Sequence, residues 1–187
     1  MLLWTLRGHG GRRGRAAYSR TVPTSYLTLA QVEAIAREAH RAQTDKAGRP
    51  YAEHLAAVAE GVRLRGGSEE QMAAAWLHDA VEDGVLSPRW LDEAPLPRQV
   101  KEMVLAVTKR DGEDLFAYTG RILATPGALL IKESDLAHNA DPDRLAVLEP
   151  ATRTRLAEKY ALVRGLLGLD GGRRPTEQRD PANPAEG

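Results

Sequence analysis

The sequence predicts an all-α fold in a single domain, on three observations. Two capping boxes, Thr28 with Gln31 and Ser68 with Gln71, each stand just before apolar residues at helical spacing. Glycine and proline punctuate the periodic stretches where helices would begin and end. Nowhere do Val, Ile, Thr and aromatic residues alternate over the length of a strand. The 187 residues suffice for one core of ordinary size.

Residues 1–25 show no apolar periodicity, and the first twenty hold five arginines and no acid. Such a segment cannot bury enough surface to offset its ordering entropy, so a disordered Arg-rich arm is expected. It lacks the apolar stretch of a secretory signal. The first helix follows Thr28, with Val32, Ile35, Ala36 and Ala39 on one face. Pro50 opens a second that runs to about residue 64 and stops at Gly66-Gly67. Ser68 caps a third, through Met72, Ala75 and Trp76 to Val81. Further helices are expected at about residues 97–107, 114–124, 127–138 and 151–167. Residues 168–187 hold seven glycines or prolines in twenty and read as a disordered tail. The folded unit is thus expected to span residues 26–167.

Composition narrows the chemistry. Without cysteine there is no disulfide framework, thiolate zinc site or cysteine nucleophile. The longest apolar run, residues 72–77, is far short of a membrane span. Equal numbers of basic and acidic side chains, 26 of each, argue against a dedicated nucleic-acid binder. A cytoplasmic protein is the plain expectation.

The string Trp76-Leu-His78-Asp79-Ala-Val-Glu82-Asp83 carries the densest chemistry. On a continuous helix, His78, Asp79 and Glu82 share one face of an otherwise apolar segment. Ionisable groups so placed are costly unless something pairs them. A divalent cation would do so, binding neutral imidazole and carboxylate together; a buried histidine hydrogen-bonded to a carboxylate is the plainer alternative. His54 and Asp135 are the other candidate ligands. Two His and two Asp leave coordination positions open, as a catalytic site requires. Nitrogen and oxygen ligands without sulfur suit manganese, iron or another first-row divalent ion. Lys46, Arg49 and Lys132 are the cations nearest these residues and could neutralise phosphates. Tyr51 could stack on a base or ribose, or simply pack. His40 reads as a packing histidine.

Three ordered stretches carry a resemblance: residues 39–54, ending Pro50-Tyr51-Ala-Glu-His54; Leu77-His78-Asp79-Ala-Val-Glu82-Asp83; and Lys132-Glu-Ser-Asp135-Leu-Ala-His-Asn139. Together they resemble the signatures of HD-domain phosphohydrolases of the RelA/SpoT type, especially small stand-alone bacterial HD proteins and small alarmone hydrolases. The resemblance implies an HD helical bundle and one divalent ion, usually manganese, held by His54, His78, Asp79 and Asp135. It implies that Glu82 and Asp83 position or deprotonate the attacking water, and that Asn139 supports the site. The implied reaction is hydrolysis of the 3′-pyrophosphate of ppGpp to GDP and pyrophosphate. Asp45 stands where the alarmone hydrolases have a basic residue, so another nucleotide or a phosphomonoester is the alternative substrate. A non-catalytic HD module that senses nucleotides is the alternative of a different class. His138 lies outside this ligand set.

Overall fold

Both capping boxes form: Thr28 and Ser68 each accept the backbone N–H three residues on, at 3.3 Å, and each Gln side chain accepts the cap's own N–H at 2.9 Å. The computed structural model describes residues 25–170. The expected arm and tail lie outside these residues, apart from Ser25 and 168–170, where Leu169 packs against the core. The helices are α1 (Leu29–Ala39), α2 (Tyr51–Leu64), α3 (Glu69–Trp76), α4 (Pro88–Glu93), α5 (Arg98–Val107), α6 (Leu115–Ala124), α7 (Ala128–Asn139), α8 (Pro142–Ala146) and α9 (Pro150–Leu166). Among the described residues there is no strand, only an isolated bridge from Thr44 to Pro50 that closes the loop before α2. No described helix is long and apolar enough to cross a membrane.

α3 sits at the centre, packed on α1, α2, α5 and α7, and α2 lies along α7. Leu55, Val58 and Val62 of α2 meet Ala74, Leu77, Val104, Ile122 and Ile131 in one fully buried cluster. Each such aliphatic side chain contributes about 1.5–3 kcal/mol on burial. Gly61 and Ser134 let α2 and α7 approach: a Cβ on Gly61 would lie 3.1 Å from Ser134 Cβ. The same approach brings His54, on the first turn of α2, opposite Asp135. Ser134 is buried without penalty because its hydroxyl donates to the Leu130 carbonyl at 2.9 Å.

Two expectations need correction. The third helix ends at Trp76 rather than Val81, and residues 77–84 form consecutive turns. Leu77 and Ala80 N–H groups bond three residues back, to Ala74 and Leu77, and Gly84 adopts the left-handed region (φ 70°). The His78 imidazole draws off the Ala75 carbonyl at 2.8 Å. Leu77, Ala80 and Val81 still pack on the core, which carries the apolar periodicity past the end of the helix. Helices α4 and α8 add to the expected set, being too short to show periodicity. Each nevertheless has a start signal, Ser87-Pro88 and Asp141-Pro142, with the Ser and Asp side chains accepting first-turn N–H groups.

Candidate metal centre

Four side chains converge from three elements. α2 supplies His54, the turn after α3 supplies His78 and Asp79, and α7 supplies Asp135. His78 Nε2 lies 2.9 Å from Asp79 Oδ2 and 3.8 Å from Asp135 Oδ1; His54 Nε2 lies 3.6 and 3.4 Å from the same two oxygens. His54, His78 and Asp79 satisfy the spacing of a metal-binding group. Both histidines are almost wholly buried.

The residues fit a divalent cation by their unmet needs. His78 Nε2 is buried and has no hydrogen-bond partner among the described residues, although Asp79 Oδ2 is at contact distance. The Nδ1 of His78 donates to the Ala75 carbonyl, fixing the tautomer that leaves Nε2 a lone pair. Without a metal the centre draws in protons instead. Burial opposes charge on His78, but Asp79 and Asp135 more than offset it and push its pKa up to about 9. Burial likewise opposes ionisation of Asp79 and Asp135. The former is nonetheless held well below the usual carboxylate range by His78 and His54, the latter by Lys132 and the same imidazoles.

Neighbouring residues fix each carboxylate. The Tyr51 hydroxyl donates to Asp79 Oδ2, while its ring stacks on buried His40 with centroids 5.1 Å apart. That contact occupies one face of Tyr51 and ties its hydroxyl to a candidate ligand. Lys132 Nζ lies 2.7 Å from Asp135 Oδ2, and Asn139 Nδ2 donates to Oδ1. Lys132 is the one lysine among the described residues that closes an ion pair. Among the described residues nothing partners His40 Nε2.

The cluster forms the floor of a cavity of about 410 Å³. Glu82 and Asp83 line its wall, held by the Lys109 backbone N–H (2.7 Å) and by Gln43 Nε2 (2.7 Å). Partial desolvation and the nearby Asp79 raise the Glu82 pKa, against the lowering effect of the Lys109 N–H. Arg121 of α6 braces this wall: its guanidinium donates to the Ala106 and Thr108 carbonyls at 2.8 and 3.0 Å and pairs with Glu113 at 2.6 Å, fixing the chain around Lys109.

Lys46 also lines the cavity, but Arg49 does not. Asp45 accepts the N–H groups of Ala47 and Arg49, both at 2.9 Å, and Arg49 turns outward to Glu53 at 2.7 Å. Asp45 itself pairs with Arg144 of α8 at 2.9 Å. Lys109, Arg144, Lys159, Tyr160 and the apolar Leu145, Leu148, Leu156 and Val163 also line the cavity. Sequence reasoning misses Lys109 and Lys159, which carry no local signal, and His138, whose Nδ1 lies 2.8 Å from His54 Nδ1. The one signal for His138 is its spacing, three residues after Asp135 on one helix.

The HD domain family profile matches residues 33–122, which include His54, His78, Asp79, Glu82 and Asp83. Residues 33–122 of the chain thus carry an HD domain. Among curated proteins the chain is 33% identical over 171 residues to guanosine-3′,5′-bis(diphosphate) 3′-pyrophosphohydrolase of Vibrio cholerae, covering 80% of this chain and 24% of that protein. It is 31% identical over 156 residues to the bifunctional (p)ppGpp synthase/hydrolase SpoT of Escherichia coli, covering 75% and 22%. A probable 3′-pyrophosphohydrolase of Synechocystis is 40% identical over 74 residues, covering 40% and 10%. The chain thus spans about a quarter or less of the length of these relatives.

Proposed function

We propose that this chain is a cytoplasmic hydrolase that removes the 3′-pyrophosphate of ppGpp or a related alarmone, with a divalent ion, manganese first, held by His54, His78, Asp79 and Asp135. The observation that carries the reading is the grouping of His54, His78 and Asp79 at metal-binding spacing, with Asp135 Oδ1 3.4 and 3.8 Å from the two imidazole Nε2 atoms, at a nucleotide-sized cavity. When bound, the ion would lower the pKa of water and withdraw charge from the attacked phosphorus.

The protein's own groups do the rest. Glu82 and Asp83 each have one oxygen engaged by the wall, leaving the other to align a water. Partial desolvation raises the Glu82 pKa, the direction that suits a proton acceptor. Asn139 and Lys132 hold Asp135 in place. Lys46, Lys109 and Lys159 supply ammonium groups for substrate phosphates. Burial and repulsion from Lys132, Lys46 and Lys109 lower the Lys159 pKa, as expected of cations facing one space. Leu145, Leu148, Leu156 and Tyr160 offer an apolar wall to a base.

A second reading, hydrolysis of a different nucleotide or of a phosphomonoester, is favoured by the Asp45–Arg144 pair. There an acid, tied up with Arg144 at 2.9 Å, stands where the resemblance implies a guanine-holding basic residue. Product analysis across a nucleotide panel with Mn²⁺, run beside Asp79→Ala, separates the two. Release of GDP and pyrophosphate from ppGpp by the wild type alone supports the alarmone reading. Faster turnover of another nucleotide, with ppGpp untouched, overturns it. Nucleotide binding without turnover of any panel member identifies a sensing module.

A further inference from the structure

His138 stands outside the metal-facing cluster, yet its ring is tied to it. Its Nδ1 lies 2.8 Å from Nδ1 of His54, with ring centroids 5.0 Å apart. Two imidazole nitrogens at that distance share one proton: one donates and the other accepts. If His138 donated, His54 would carry its own proton on Nε2, the atom that faces Asp79 and Asp135. Nε2 could then offer no lone pair to a cation. If His54 donates, Nε2 is free, and His138 carries its proton on Nε2 instead.

We infer that His138 is a positioning residue: its Nδ1 accepts the Nδ1–H of His54 and holds the tautomer and ring orientation in which His54 Nε2 binds the ion. The surroundings agree. His138 is not among the residues that line the main cavity; with Arg49 and Asp141 it borders an adjoining depression that shares Ala47 and Arg144 with it, the placement of a residue that acts through His54. The neighbouring Arg144 guanidinium pairs with Asp45 at 2.9 Å, so it is engaged on that side. The two ligand histidines are therefore oriented differently. His78 leans on a backbone carbonyl, whereas His54 leans on a side chain that substitution can remove.

This inference rests on the metal-binding reading, and its test separates the two. Mn²⁺ affinity is measured by calorimetry for the wild type, His138→Asn and His138→Leu. Asn can place its carbonyl oxygen where Nδ1 stood and keep an acceptor; Leu cannot. Loss of such a partner weakens metal binding about 10–100-fold, so the Leu variant should bind that much less tightly while Asn stays close to the wild type. A wild type that binds no Mn²⁺ refutes the metal reading itself. Unchanged affinity in the Leu variant, or Asn as weak as Leu, refutes the role of His138. Should the Leu variant fail to fold, nitrogen NMR of Zn²⁺-loaded wild type decides. A proton on His138 Nε2 and on His54 Nδ1 is expected, and a proton on His138 Nδ1 overturns the inference.

Discussion

The floor and the rim of the cavity are built on opposite rules. On the floor, His54, His78 and Asp135 are buried, and the carboxylates are gripped by Tyr51, Lys132 and Asn139. At the rim, Lys46, Lys109 and Lys159 are exposed and close no ion pair with a described residue. A floor whose groups are fixed before anything binds suits a step that needs one geometry. A rim of long, unpaired cations on the opening loop, the α5–α6 connection and α9 suits recognition, where modest charge contributions add up. On the proposed reading, the contrast assigns chemistry and specificity to different parts of the molecule, which should then respond differently to substitution.

The sharpest way to break the contrast is at the floor. Asp79→Ala removes a candidate ligand and leaves His78 facing one carboxylate fewer, so Mn²⁺ binding by calorimetry and all turnover should be lost. Glu82→Gln keeps the four ligands intact. It should cut kcat about 10²–10⁴-fold with metal content by atomic absorption unchanged, the scale of a lost general base. An equal fall in metal content would move Glu82 from the wall into the coordination shell.

The floor should also govern the pH response. The folded pKa of His78 is raised to about 9, above its unfolded value of 6.5. Its contribution to metal-free stability is therefore complete below pH 6.5 and lost as pH rises towards 9. Asp79 and Asp135 are shifted down, so their contributions hold above about 3.8 and fade in acid. Urea melts of chelator-treated protein should show falling stability from pH 6.5 to 9, and bound Mn²⁺, which takes the place of the proton, should flatten that fall.

Smaller effects are expected away from the floor. Gly61→Ala puts a methyl group 3.1 Å from Ser134 Cβ, and prying α2 from α7 should cost about 1–3 kcal/mol in denaturant unfolding, with weaker metal binding as His54 recedes from Asp135. At the rim, Lys159→Gln should raise KM only about two- to fivefold with kcat unchanged, the worth of one exposed charge contact. A fall in kcat instead would erase the distinction between rim and floor.

The same division explains what is legible in the sequence. The floor is written in residue types at short spacings: His78 beside Asp79, Asp135 four before Asn139, His54 after a proline-started turn. Residue type and spacing mark these groups as candidates, and the set of four as cation ligands is what the resemblance of the three ordered stretches implies. The path between them is harder to read, because Leu77, Ala80 and Val81 bury themselves from consecutive turns as they would from a helix. The outward course of Arg49 is not legible either, since it depends on Asp45 capping the loop and on Glu53 one turn into α2. Arg144 meeting Asp45, and Lys159 facing Lys109, depend on how α8 and α9 fold back over the cavity. Contacts of that sequence separation leave no local periodicity to read.

The most direct test is isotopic. ppGpp is incubated with Mn²⁺-loaded protein in H₂¹⁸O, and the products are separated and weighed by mass spectrometry. The account predicts GDP without label and pyrophosphate carrying one ¹⁸O, because water aligned by Glu82 and Asp83 attacks phosphorus, with neither product formed by Asp79→Ala. Intact ppGpp after incubation with the Mn²⁺-bound wild type, or products formed equally by Asp79→Ala, would contradict it.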